Sequence, residues 1–161
     1  MAHRKDVPAE YDGSPLHIYT VTYPVGLNKC SNVKVDVMLV QFLVKSYFKD
    51  PENAASKPGA NLTVNGLFDT STQVYLKSFA SHIQRKGIAI TVDGRYDPCG
   101  NAPRGSISRQ YYKIYVLSRC YWDFLERQGQ EQRYYHLDKE TSSDVPALLK
   151  AAIGPYKGPL S

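Results

Sequence analysis

No apolar run in this sequence of 161 residues approaches the ~20 that a membrane-spanning helix needs, and the start, MAHRKDVPAEYDGSPL, puts proline and acids where a secretory leader carries its apolar core. The expectation is a chain without a membrane span, cytoplasmic at synthesis, that reaches the cell envelope or a secreted particle only by a non-standard route. Cysteine is scarce: Cys30, Cys99 and Cys120 are an odd set with no C-x-x-C or metal-finger spacing, which argues against a disulfide framework and for reduced, inert thiols. His3, His17, His82 and His136 are scattered, without H-E-x-x-H, so no catalytic metal is expected. No local signature joins a cysteine to a histidine as nucleophile and base. Asp93 with Asp97, or Asp69 with Asp93, are the carboxylate pairs a glycan hydrolase would need, and turn capping accounts for both. The sequence therefore reads as non-enzymatic and free of cofactors.

Positive charge is present in modest excess, +5 in all, and it is concentrated. Arg85, Lys86, Arg95, Arg104, Arg109, Lys113 and Arg119 face only Asp93 and Asp97 within their segment, while the remainder balances. Such a stretch favours an acidic partner: a polycarboxylate, an acidic protein surface or nucleic acid, although no recognised nucleic-acid motif is present. Aromatic residues keep binding in view, with Tyr111, Tyr115 and Trp122 along one flank of an expected helix; cover by an N-terminal arm carrying Tyr19 and Tyr23, or by a C-terminal helix, is the competing use of those rings.

The length suits one domain with extensions. Residues 1–32 read as an extended N-terminal arm, with LHIYTVTY (Leu16 to Tyr23) as an edge strand. A helical domain is expected over 33–128 and a short helix with tail over 129–161. Val37, Val40, Leu43, Val44 and Tyr47 recur at helical spacing over Asp36 to Phe48, with Asn32 or Asp36 available as caps. The loop KDPENAASKPGANLT follows; its Asn61-Leu-Thr63 sequon carries little weight without a leader. Thr72, Tyr75, Leu76, Phe79, Ala80 and Ile83 form a second stripe over Ser71 to Gln84, capped by Thr70 or Ser71. Ile114, Leu117, Tyr121, Phe124 and Leu125 form a third over Ser108 to Gln128, and a fourth helix spans Val145 to Ile153, capped by Ser143 or Asp144.

One hexapeptide nearly recurs. VNGLFD (Val64 to Asp69) is followed by VDGRYD (Val92 to Asp97), matching Asn65 with Asp93, Gly66 with Gly94 and Phe68 with Tyr96. Glycine at each turn supplies positive φ, the short Asn or Asp side chain bonds back to nearby amides, and the ring tucks under the turn. Read this way the repeat is architecture that redirects the chain onto a shared helical core.

The order DVMLVQFLV, VNGLFDTSTQVYLKSF, VDGRYDP, over about Val33 to Pro98, resembles the peptidoglycan-binding-like domain, the small three-helix module often attached to cell-wall hydrolases. Asn65 stands where that family has aspartate, Asp69 where it has a second glycine, and Ala80 where it has glutamine. The resemblance implies a mainly α fold, a three-helix bundle with two Asn/Asp-Gly turns, an extra C-terminal helix and the extended arm. It implies a non-catalytic module that binds peptidoglycan or another acidic glycopeptide through a shallow site at the turns and basic segment, with Asn65, Phe68, Asp69, Thr72, Asp93, Arg95, Tyr96 and Arg104 as ligand-binding candidates. The alternative is a structural protein that docks, through its arm and tail, into an assembly such as a contractile injection system or phage-like particle.

Overall fold

The computed structural model describes residues 1–8, 15–105 and 109–158. Strands β1 (His3–Pro8) and β2 (Pro15–Thr20) pair antiparallel, His3 opposite Thr20 and Val7 opposite Leu16. Strand β3 (Val25–Gly26) precedes helices α1 (Lys34–Lys49) and α2 (Thr70–Arg85), then β4 (Arg95–Tyr96), α3 (Lys113–Arg127), the one-turn α4 (Gln132–Tyr135) and α5 (Ala147–Ile153). Single 3₁₀ turns lie at Ala54–Ser56 and Leu137–Lys139.

Helix α1 is the centre. Its run from Val35 to Val44 is buried on every side, as is Ser46 to Phe48, because α2, α3 and α5 pack around it. Rings key it to its neighbours: Tyr47 meets Phe79 of α2 edge-on at 4.9 Å, and Phe42 meets Tyr121 of α3 at 5.2 Å. The expected stripes hold on α2, where Thr72, Tyr75, Leu76, Phe79, Ala80 and Ile83 are all buried, and on α3 except at half-buried Phe124.

The expectation of a mainly α protein is overturned: five helices dominate the described residues, but two small antiparallel sheets are built into the same core. What read as an extended arm is a hairpin. Ala2, Val7, Ile18, Tyr19 and Val21 are buried in one cluster with the helices, β2 lying against α3 and β1 against α5. Burial is the reason, since the rings and branched side chains of LHIYTVTY shed more water by packing than by trailing in solvent. Polar groups fix the hairpin's position. Fully buried Asp36 accepts the Thr22 and Tyr23 amides at 3.2 and 3.1 Å, and the Tyr19 amide donates to Ser118 Oγ at 2.8 Å. Arg4 donates to the Ile153 and Gly154 carbonyls at 3.0 and 2.5 Å and to the Tyr135 carbonyl at 2.9 Å, saturating carbonyls that α4 and α5 leave open at their ends.

Helix starts differ from expectation wherever the expected cap has other work. Asp36 holds the hairpin, and Asn32, at φ 46°, exchanges two hydrogen bonds with Gly26, so α1 begins at Lys34 with no side-chain cap. The cap of α2 is Asp69, which accepts the Thr72 amide at 2.9 Å. Asp144 pairs with Lys45 and Lys49 of α1, so α5 begins only at Ala147. Helix α3 begins at Lys113, not Ser108, which lies outside the described residues. Arg109 has φ 53°, and the Tyr111 and Tyr112 amides donate to Ala89 and Pro103 carbonyls instead of a helical ladder. No helix among the described residues is long and apolar enough to cross a membrane.

Candidate functional site

Each copy of the repeated hexapeptide forms the expected turn. Gly66 and Gly94 have φ 79° and 71°, Asn65 Oδ1 accepts the Leu67 amide at 2.9 Å, and Asp93 Oδ1 accepts the Arg95 amide at 3.0 Å. What anchors each turn is a buried polar side chain from a helix, and neither anchor was legible as such in the sequence.

The first anchor is Gln41, fully buried in the middle of α1. Its Oε1 accepts the Asn65 and Gly66 amides at 3.1 and 2.9 Å, while Nε2 donates to Asn65 Oδ1, the Leu67 carbonyl and Thr72 Oγ1 at 2.9 to 3.2 Å. Thr72 Oγ1 donates onward to Asp69 Oδ1 at 2.7 Å. The Asp69 carboxyl is held below the usual carboxylate range, first by the Thr72 amide and then by its hydroxyl. Three of the candidate ligand residues, Asn65, Asp69 and Thr72, are thus bonded into the turn itself.

The second anchor is Lys113 at the start of α3, 5 % exposed. Its ammonium donates to the Thr91 carbonyl and hydroxyl at 3.2 and 3.1 Å, pairs with Asp93 and lies 5.1 Å from the centroid of the Tyr96 ring. Burial alone would raise the Asp93 carboxyl; the Lys113 and Arg95 donors outweigh it, and the group is held low. Tyr96 is buried and its hydroxyl donates to the Leu76 carbonyl at 3.1 Å. Pairing of Val25 with Tyr96 and Gly26 with Arg95 ties this turn to the segment before α1.

Between the two turns lies a groove of about 420 Å³, floored by the outer flank of α2. Phe68, Leu76, Ala80, Tyr96 and the exposed apolar residues Leu27, Val74 and Val92 give it an apolar wall; Gln73, Lys77 and Asp93 give it a polar rim. Of the eight candidates from the sequence, the groove brings together Phe68, Asp93 and Tyr96. Arg95 is exposed and bonded to Asp97 at 2.6 Å, and Arg104 sits 4.2 Å from the centroid of the Tyr111 ring; neither lines the groove. Leu27, Val74 and Lys77 were missed. Val74 carried the available signal, an apolar residue off the stripe of α2.

The basic segment does not form one free face. Lys113 is buried, Arg95 is paired, Arg104 and Arg119 stack on Tyr111 and Trp122, and Lys86 donates to Asn53 Oδ1 at 3.1 Å. The thiols are placed for packing: burial pushes Cys99 up to about 11 and Cys120 up to about 12. With Asp69 and Asp93 both held ionised, neither keeps a proton to lend a glycosidic oxygen near neutrality. No group of three or more metal-ligating side chains occurs among the described residues. Set against known proteins, the chain matches no family model, no curated protein and no solved structure.

Proposed function

We propose that the protein is a non-catalytic binding module of the peptidoglycan-binding-like kind, and that its ligand, a carboxylate-bearing stem peptide of the cell wall, lies in the groove between the two turns. The observation that carries this reading is the groove itself: both halves of the repeated hexapeptide give a ring to one concave apolar surface. Stem peptides offer small methyl-bearing side chains to such a wall and free carboxylates to its rim. Lys77 on the rim has no ion-pair partner among the described residues, whereas Asp93 is already compensated by Lys113 and does not repel the ligand as a lone carboxylate would.

Co-sedimentation with purified sacculi at low and high ionic strength tests the proposal. Wild type is expected to pellet at low salt and less so at high salt. Val74→Glu, which sets a carboxylate on an exposed position of the groove, should lose most of the binding with its melting temperature preserved. Arg95→Glu with Arg104→Glu should retain it, because those residues lie off the groove. The opposite pattern would move the site onto the basic segment, and failure of wild type to pellet would reject a wall ligand. Docking into a larger assembly through a free arm has less in its favour, since the arm's apolar residues are spent inside the core.

A further inference from the structure

On the other side of Lys77 from the groove is a second concavity, of about 480 Å³, between the later half of α2 and the 3₁₀ turn Ala54–Ser56. Its polar lining is Ser56, Lys77, Ser78, Ser81 and Arg85. Lys77, Ser81 and Arg85 follow at i, i+4 and i+8, one face of the helix, and Ser78 flanks them. Among the described residues none of these five side chains makes a hydrogen bond or an ion pair, so two cations, one of them shared with the rim of the groove, and three hydroxyls line the cleft without a partner in the protein. That sets Arg85 apart from Arg95 and Lys113 in the basic segment, whose charges are taken up by carboxylates.

We infer that this cleft is a binding site for a phosphate group, as a monoester or a diester. The donor inventory favours phosphate over carboxylate. A carboxylate has two oxygens, which one guanidinium satisfies in a fork, whereas Lys77, Arg85 and the three hydroxyls together offer more donors than two oxygens can take. Phosphate presents up to three terminal oxygens and as much as about two negative charges. The cleft is larger than the anion and leaves room for the alcohol portion of an ester.

Amide NMR titration of the full chain with inorganic phosphate, glycerol phosphate and dimethyl phosphate, at ionic strength fixed with chloride, tests the site. Phosphate-bearing probes are expected to shift the amides of residues 54–56 and 77–85 and to saturate at about millimolar concentration. The monoester and diester probes tell a small phosphorylated ligand from a polymer linkage. Lys77→Gln with Arg85→Gln should weaken binding by about tenfold or more. Ser81→Asp keeps both cations, sets a carboxylate between them and should abolish the response. Equal shifts from chloride alone, or undiminished phosphate binding by either variant, would overturn the inference. None of these readouts uses cell-wall material, and Ala55, Ser56, Ser81 and Arg85, which line this cleft but not the groove, separate them from the stem-peptide reading although Lys77 borders both.

Discussion

The two turns are near copies in sequence and conformation, yet they are held by opposite chemistry. The first is closed by a neutral amide on a neutral amide, fully buried Gln41 on half-buried Asn65; the second by an ammonium on a carboxylate, Lys113 on Asp93, with the carboxylate 51 % exposed. Anchor and turn residue covary in charge within this one chain. Asn65 uses its oxygen as an acceptor, from the Gln41 side chain and the Leu67 amide, whereas Asp93 balances a charge, and an asparagine at position 93 would leave a buried ammonium uncompensated.

Removing the anchors should show the largest difference. Gln41→Leu strands the buried Gly66 amide and the half-buried Asn65 amide, while Thr72 Oγ1 and the Leu67 carbonyl keep their bonds to Asp69, and it is expected to cost about 3 kcal/mol, at ~1–3 kcal/mol for each unsatisfied group. Lys113→Met should cost only about 1 to 2 kcal/mol, because Asp93 and exposed Thr91 can turn to water. Denaturant unfolding of both variants measures the gap, and equal losses would mean that the turns are equally buried.

The glycines give the next effect. A Cβ on Gly66 would come within 2.8 Å of the Lys34 carbonyl oxygen, which belongs to the backbone of α1 and cannot swing aside. A Cβ on Gly94 meets only the tip of Leu27 at 3.2 Å. Gly66→Ala is expected to lose about 3 kcal/mol, left-handed strain plus overpacking, and Gly94→Ala about 1 to 2 kcal/mol from the strain alone. Thermal melts should rank them in that order; the reverse ranking would place the tighter turn at Gly94.

The smallest expected effect is a difference in acid sensitivity. Asp93 is held low in the folded protein, so the stability it contributes is complete above the unfolded carboxylate range and is lost as pH falls through its own lowered value. Lys113→Met removes that contribution, so the gap in stability between wild type and variant should narrow as pH drops from neutrality. Gln41→Leu leaves no comparable titration, and its gap should stay nearly constant. Urea unfolding of the three proteins at neutral and acid pH would decide; a gap for Lys113→Met that ignores pH would mean that its loss comes from packing.

The helices were legible because a buried stripe repeats many times, and both turns because glycine after Asn or Asp has few other uses. The hairpin was half legible. LHIYTVTY carries a strand pattern, but HRKDVP offers a single branched apolar residue, Val7, and becomes β1 only because β2 and α5 lie beside it. Gln41 was an overlooked clue, one uncharged polar residue inside MLVQFLV, on a helix that leaves no room for an idle amide. Lys113 read as one more surface cation. Nothing local distinguishes it from Arg109, and its burial follows from the fold of Thr91 to Tyr96 over the start of α3. The groove needed three distant pieces, Leu27, α2 and the second turn, whose proximity no short pattern encodes.

Arg4 bears on the order in which the chain can assemble. It is 150 positions from Gly154, the carbonyl it caps, so on the ribosome β1 emerges long before its partners in α5 exist. The early segments α1, the first turn and α2 can close short loops among themselves, whereas seating the hairpin requires the longest loop in the molecule to close. The hairpin should therefore dock last, as a clasp over an already formed helical pair, and hydrogen exchange during refolding should protect the amides of α1 and α2 before those of β1.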